Sequence, residues 1–197
     1  MNPAPVSHLT TIDPYFFLDH ALGLAALASQ QGDVPVGAVV VYQGQIIGEG
    51  YNQKERRQQA AAHAEMVAIA QACDALASWR LIDCVLVSTL EPCPMCAGAL
   101  LQARVGAVVY GARDWRWGAL ETRLQLIDIG FNHRPSLHYV PYPPCETILT
   151  DFFKHRRSKG ITPPHPSSTQ RREDPSYQED PEADDSKEIR NLGWGSG

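Results

Sequence analysis

The stretch CVLVSTLEPCPMCAGALLQARVGAVVYG, residues 84–111, decides the fold. Its first part, 84–90, is a short, continuous, β-branched run of the kind buried in the middle of a sheet. Apolar residues then recur at helical spacing over 94–104, and 105–111 is a second buried run. Strand, helix and strand in so short a span call for parallel pairing through a crossover helix, the mark of an α/β sheet.

Working outward, residues 14–31 place Phe16, Phe17, Leu18, Ala21, Leu22, Ala25 and Ala28 on one broad helical face, and Gly32 stands where the helix should stop. VPVGAVVVYQGQIIGEGYN, residues 34–52, holds two β-rich runs around Gln43-Gly44-Gln45, which predicts an antiparallel hairpin and hence a mixed sheet. Residues 62–76 return to helical spacing, 112–135 are irregular to helical, and SLHYV (136–140) is a candidate fifth strand. CETILTDFFKHRR (145–157) is a closing amphipathic helix whose basic end suits its dipole. Two regions of unequal character are expected: a folded domain over 1–157 and a disordered, acidic, Pro- and Ser-rich tail over 158–197, too poor in apolar residues to offset its ordering entropy.

The chain has 197 residues, of which 44% are hydrophobic and 20% charged, the composition of a soluble globular protein. A formal net charge of −5 argues against binding nucleic acid through bulk positive charge, so any such binding must rest on a local site. The N-terminus lacks the basic start and apolar core of a secretory signal, and no apolar run is long enough for a membrane span. A cytoplasmic location follows as the expectation. Five cysteines without an export signal favour reduced thiols and metal ligands over disulfides.

The chemistry is carried by two half-motifs. In AAHAEMVAIA (61–70), His63 and Glu65 stand two residues apart, about 200° around a regular helix, so they converge only at a helix start. QQAAAH offers no strong N-cap residue, and the first-turn placement is an inference. In EPCPMCAGAL (91–100), Pro94 suits the first helical position, which makes Cys93 the cap and puts Cys96 in the first turn on the same face. A helix N-terminus favours thiolate, the form that binds metal. His63, Cys93 and Cys96 are a donor set suited to Zn²⁺, and the other cysteines and histidines lack ligand-like spacing to it. Three protein ligands leave the fourth position for water, the arrangement of a catalytic rather than a structural zinc. Glu65 is then the neighbouring acid/base. H-x-E followed by P-C-x-x-C is the zinc deaminase signature.

Residues 15–157 resemble the bacterial tRNA-specific adenosine deaminase family within the cytidine deaminase-like superfamily. The matching stretches are DVPVGAVVV, IGEGYNQ, HAE, RLIDCVLVSTLEPCPMCAGAL, GARD, FNHR and DFFKHRR. The resemblance implies a three-layer α/β/α fold around a mixed five-stranded sheet, a homodimer with one Zn²⁺ per subunit, and conversion of adenosine to inosine at the wobble position of a tRNA anticodon stem-loop. It implies His63, Cys93 and Cys96 as metal ligands and Glu65 as proton shuttle. Asn52 is implied as the partner of the flipped base, Val36 and Leu90 as apolar walls, and Asp114, Asn132, Phe152 and Arg156 as residues around the RNA.

Each of the last group also has a plainer reading. Asp114 can cap its own loop, Asn132 can be a turn residue, Phe152 can be core, and the cations near Arg156 can be a dipole-matched helix end. After GARD the sequence departs from the family, which carries small residues and a lysine where this chain has WRWGALET, with Trp115 and Trp117. Those indoles suit stacking on unpaired bases or packing against a partner subunit. The prolines at 143 and 144 suggest an altered entry to the last helix. Two other readings remain at this stage. One is a deaminase of free guanine or cytosine derivatives; the other is a catalytically silent zinc subunit serving RNA binding or dimerisation, against which the retained Glu65 argues.

Overall fold

Hydrophobic alternation along two strands sets the layers. In β1 (Gly37–Tyr42), Val39 and Val41 enter one apolar cluster, while Ala38 and Val40 enter another on the opposite side. In β3 (Cys84–Leu90), Val85 and Val87 join the first cluster and Leu86 the second. A sheet buried on both faces needs helices on both. The computed structural model describes residues 12–160 and supplies them. The chain divides into two units, Met1–Ser158 and Lys159–Gly197, and the tail expected over 158–197 lies outside the described residues beyond 160.

The elements follow in the order α1 (Pro14–Gln30), β1, β2 (Gln45–Tyr51), α2 (Lys54–Arg57), α3 (Ala64–Leu76), β3, α4 (Pro94–Gln102), β4 (Ala107–Ala112), β5 (Ser136–Tyr139) and α5 (Pro143–Ser158). A 3₁₀ turn over Leu126–Ile129 interrupts the long connection before β5. The strand order is β2-β1-β3-β4-β5. β1 pairs antiparallel with both β2 and β3, whereas β3–β4 and β4–β5 are parallel. The mixed five-stranded sheet expected from sequence is therefore present. α1 and α5 pack on one face, with Phe17, Leu18 and Cys145 in their cluster; α3 and α4 pack on the other, with Ala64, Ala68 and Leu100 in theirs.

Element ends are locally explained. Asp13 caps α1 by accepting from the Tyr15 amide, and Gly32, at φ +82, turns the chain where helix can no longer continue. Gln43 and Gly44 both have positive φ, the geometry of a tight two-residue hairpin between β1 and β2. Both prolines, 143 and 144, fall in the first turn of α5, where their missing N–H groups cost nothing, so the helix starts two residues earlier than CETILTDFFKHRR suggests. The short α2 was not expected. Among the described residues no helix is long and apolar enough to cross a membrane.

One contact positions the functional edge. A Cβ placed on Gly50 would sit 2.0 Å from the Ala64 carbonyl oxygen and 2.8 Å from the Ala68 nitrogen; on Gly48 it would meet the Ala68 oxygen at 2.2 Å. The α3 backbone thus lies directly on the β2 backbone, with Ala64, Ala68 and Ala72 fully buried beneath it. Gly50→Ala is expected to cost about 3 kcal/mol, because neither backbone can give way cheaply. Gly98, on α4, has open space at its Cβ, and Gly98→Ala should be neutral or stabilising. Denaturant unfolding of the two variants checks the contrast.

Candidate metal centre

His63 is the residue that caps α3 and Cys93 the one that caps α4. Both have extended backbone, at φ −78, ψ 154 and φ −71, ψ 173, and neither side chain is spent on capping its helix. That geometry resolves the 200° difficulty: His63 stands outside the helical spiral, and Glu65, in the first turn, can share its direction. Pro94 opens α4 and Cys96 lies in its first turn, as expected. Because β1 runs antiparallel to β2 and β3, the start of β1 and the ends of β2 and β3 share one end of the sheet, and both caps lie there.

The three donor atoms form an equilateral triangle. Cys93 Sγ lies 3.6 Å from Cys96 Sγ, and His63 Nδ1 lies 3.6 Å from each sulfur. Among the described residues no other group of His, Cys, Asp or Glu converges in this way. Metal bonds of about 2.3 Å to sulfur and about 2.0–2.1 Å to nitrogen, spread tetrahedrally, put neighbouring ligand atoms about 3.5–3.8 Å apart. The triangle matches one face of such a tetrahedron, and the donor chemistry matches zinc.

Charge in this cluster is arranged to suit a cation. The neighbouring Cys96 thiol and the His63 ring hydrogen-bond to the Cys93 sulfur and pull its pKa down to about 4. Cys96, facing that charge and buried, is pushed far up, since two buried sulfurs this close do not both ionise without a cation between them. The bond to Cys93 raises His63. Glu65, 4% exposed, has its pKa raised to about 7, chiefly by burial, with the Cys93 charge adding to the effect. A carboxyl held near neutrality can both accept and donate a proton at working pH.

Val36, Asn52 and Leu90 lie at that same end of the sheet. Asn52 ends the hairpin, its amide N–H bonded to the Val36 carbonyl, while Gly37 N–H donates to Thr89 beside Leu90. Val36 is buried and Leu90 half-buried. Asn52 is 8% exposed; its Nδ2 donates to the Val34 carbonyl at 3.3 Å, and its Oδ1 is buried without a partner among the described residues. An orphaned buried acceptor calls for an explanation, and a ligand that donates to it is one.

The remaining sequence candidates separate. Asp114 does what its plainer reading said: its carboxylate accepts from the Arg116 and Trp117 amides and so caps its own loop. Phe152 is buried core. Arg156 stacks over the Phe152 ring, 5.6 Å to its centroid, and donates to the Gly32 carbonyl, which places it near the start of β1 and the site edge. Asn132 is not brought to the triad. It precedes β5 near the C-terminal end of α4, where its carbonyl accepts from Arg104, and it lines a separate hollow of about 260 Å³ with Trp79, Leu101 and Phe131.

Two residues that sequence reasoning passed over organise the surroundings. Asp33, fully buried, accepts from the Glu55 and Arg56 amides and so caps α2 from twenty-odd residues away. Glu91, beside Pro92 and Cys93, is buried and accepts hydrogen bonds from the loop that follows β4. An acidic residue embedded in an apolar run was the one available signal for Glu91.

The sequence pattern of the MafB19-like deaminase family matches residues 15–157. A tRNA-specific adenosine deaminase of Bacillus subtilis (strain 168) is 42% identical over 145 residues, which span 73% of this chain and 90% of the relative. A solved structure from a study of A-to-I editing by tRNA:A34 deaminases at the wobble position of transfer RNA is 36% identical, with a TM-score of 0.62, covering 64% of this chain and 98% of the other. The structure of guanine deaminase from Bacillus subtilis is 31% identical with a TM-score of 0.51, covering 79% and 98%.

The orphaned amide oxygen yields a test. Asn52→Leu removes one long hydrogen bond together with one unsatisfied acceptor, so unfolding free energy should change by less than about 1 kcal/mol. A much larger loss in denaturant unfolding would mean that Asn52 serves the fold.

Proposed function

The chain belongs to the MafB19-like deaminase family, and we propose that it hydrolyses adenosine to inosine at the wobble position of a tRNA anticodon. The observation that carries this reading is the 3.6 Å triangle of His63, Cys93 and Cys96 with the buried Glu65 beside it: three ligands, not four, and a proton carrier. A Zn²⁺ held by those three residues supplies a Lewis acid and an activated water at neutral pH.

The protein's own residues do the rest. Glu65 takes one proton from the attacking water and delivers it to ring N1 of adenine as the resulting hydroxide adds at C6; it then moves the proton of the new C6 hydroxyl to the exocyclic amine, so the C6–N bond breaks, ammonia leaves and the C6 carbonyl of inosine forms. A base inside a stem or stacked loop cannot reach this edge, so the target nucleotide is flipped out. Val36 and Leu90 flank the base, and the Asn52 amide, with its free acceptor, fixes its orientation. Arg156 and the neighbouring exposed cations Lys154 and Arg157 meet phosphates near the site. A homodimer and a cytoplasmic location belong to the same proposal.

Likeness to guanine deaminase supports a second reading, hydrolysis of a free purine. The deciding experiment offers the chain an anticodon stem-loop with wobble adenosine, and guanine in parallel. Inosine from the wild type, one zinc per chain, and zinc retained but turnover lost in Glu65→Ala are the expected results. Ammonia from guanine with no inosine from the stem-loop would replace the RNA reading with the second one. Removing the metal with a chelator should abolish turnover, and added Zn²⁺ should restore it.

Phosphate contact has its own signature. Arg156→Ala with Arg157→Ala is expected to weaken stem-loop binding and to flatten the log–log salt dependence by about 1–2. An unchanged slope would leave the cations as a dipole-matched helix end.

A further inference from the structure

Glu91 is buried to 1% exposure and carries five hydrogen bonds. Its Oε1 accepts from three successive backbone amides, Leu120 at 3.1 Å, Glu121 at 2.8 Å and Thr122 at 3.0 Å. Its Oε2 accepts from the Asp114 amide at 3.3 Å and from the Thr122 hydroxyl. Among the described residues it makes no ion pair. A buried carboxylate is costly unless its acceptor sites are filled, and here the loop between β4 and the 3₁₀ turn fills them, wrapped around the charge as a backbone nest.

Position gives this clamp its meaning. Glu91 stands two residues before Cys93, with its own amide bonded to Ala112 at the end of β4. The Pro92 carbonyl, between them, accepts from the Ala119 amide at 3.0 Å. Both ends of the loop are therefore fastened to the turn that carries a metal ligand. Between the fastenings Trp115 and Trp117 are 55% and 65% exposed, an arrangement whose apolar cost the fold does not recover. Asp114 fixes the backbone under both indoles. The loop is rigid at its roots and aromatic at its tip.

We propose that Glu91 is a positioning residue which, by gathering the 114–122 loop onto the Pro92-Cys93 turn, sets the capture of a polynucleotide substrate and leaves the chemical step to other groups. The loop carries two exposed indoles and is tied to the turn that holds Cys93, and stacking on them holds the nucleotides next to the target base. A clamp of this kind acts on substrate binding, since the ligand triad and Glu65 are seated by α3 and α4 themselves.

The kinetic arm of the test rests on the RNA reading; an exchange arm does not. Glu91→Gln keeps the size of the side chain and loses one acceptor, so the Asp114 amide would face a donor. Amide hydrogen exchange across 114–122 should quicken about tenfold or more. Zinc content should hold at the wild-type level, while KM for the stem-loop rises about tenfold and kcat stays within about threefold. Unchanged exchange would overturn the clamp. Loss of zinc, or a fall in kcat at constant KM, would make Glu91 a support of the metal turn and overturn its role in capture. Should Glu91→Gln fail to fold, Thr122→Val, which removes only the hydroxyl donor, is expected to show the same KM-weighted pattern, smaller in size. Gly118→Ala attacks from the loop side, its Cβ landing 2.5 Å from both the Glu91 carboxylate and the Asp114 carbonyl oxygen, and should act in the same direction. A wild type inactive on the stem-loop would sink the RNA reading alone; exchange would still decide whether Glu91 holds the loop.

Discussion

Everything at the functional edge depends on where two helix N-termini come to rest. The α3 end is set by backbone lying on backbone, with the carbonyls of Ala64 and Ala68 in the space that side chains at positions 48 and 50 would occupy. The α4 end is set by the strand before it, since β3 is buried on both faces and pairs on both edges, and so cannot shift. With both helices fixed, cap residues that would elsewhere be Ser or Asp are free to be His63 and Cys93. Their side chains point away from capping and toward each other. A donor triangle built on caps is preorganised by the fold, with no flexible loop involved in its placement.

Buried carboxylates are the second organising device. Asp33 and Glu91 have no structural counterpart in the apolar clusters; each binds amides from a segment distant in sequence. Asp33 makes a four-residue helix possible by supplying two amides with acceptors that its own N-cap, Gln53, does not provide. Glu91 gives order to a connection that has little secondary structure. In both cases the charge is spread over amide donors, which is how an ion can sit in a protein interior without a counter-ion.

These devices mark the boundary of what the sequence could tell. Periodicity found the five strands and the four long helices because apolar residues face one core or the other, and Pro94 identified the α4 start because its missing N–H has one natural place. The α3 start had no such marker: His63 caps the helix without using its side chain, so the expected first-turn placement rested on the need for His63 and Glu65 to meet. α2 escaped because its cap is remote. Residues 114–122 had no readable pattern because their order comes from Glu91, not from their own alternation. Phe152 and Asp114 followed their plainer readings, the one in the core and the other capping its loop, while Asn132 shows that a matching motif does not fix which end of a sheet a residue reaches.

In the proposed binding of a base, the Asn52 oxygen, without a partner among the described residues, turns recognition into refusal. A pocket that merely fits a base gains a little from the right ligand and loses little to the wrong one of similar shape. A buried acceptor without a partner behaves differently: a ligand with a donor at that point relieves an existing penalty, whereas one without it leaves that penalty in place. The discrimination then lies mainly in what the site will not close over.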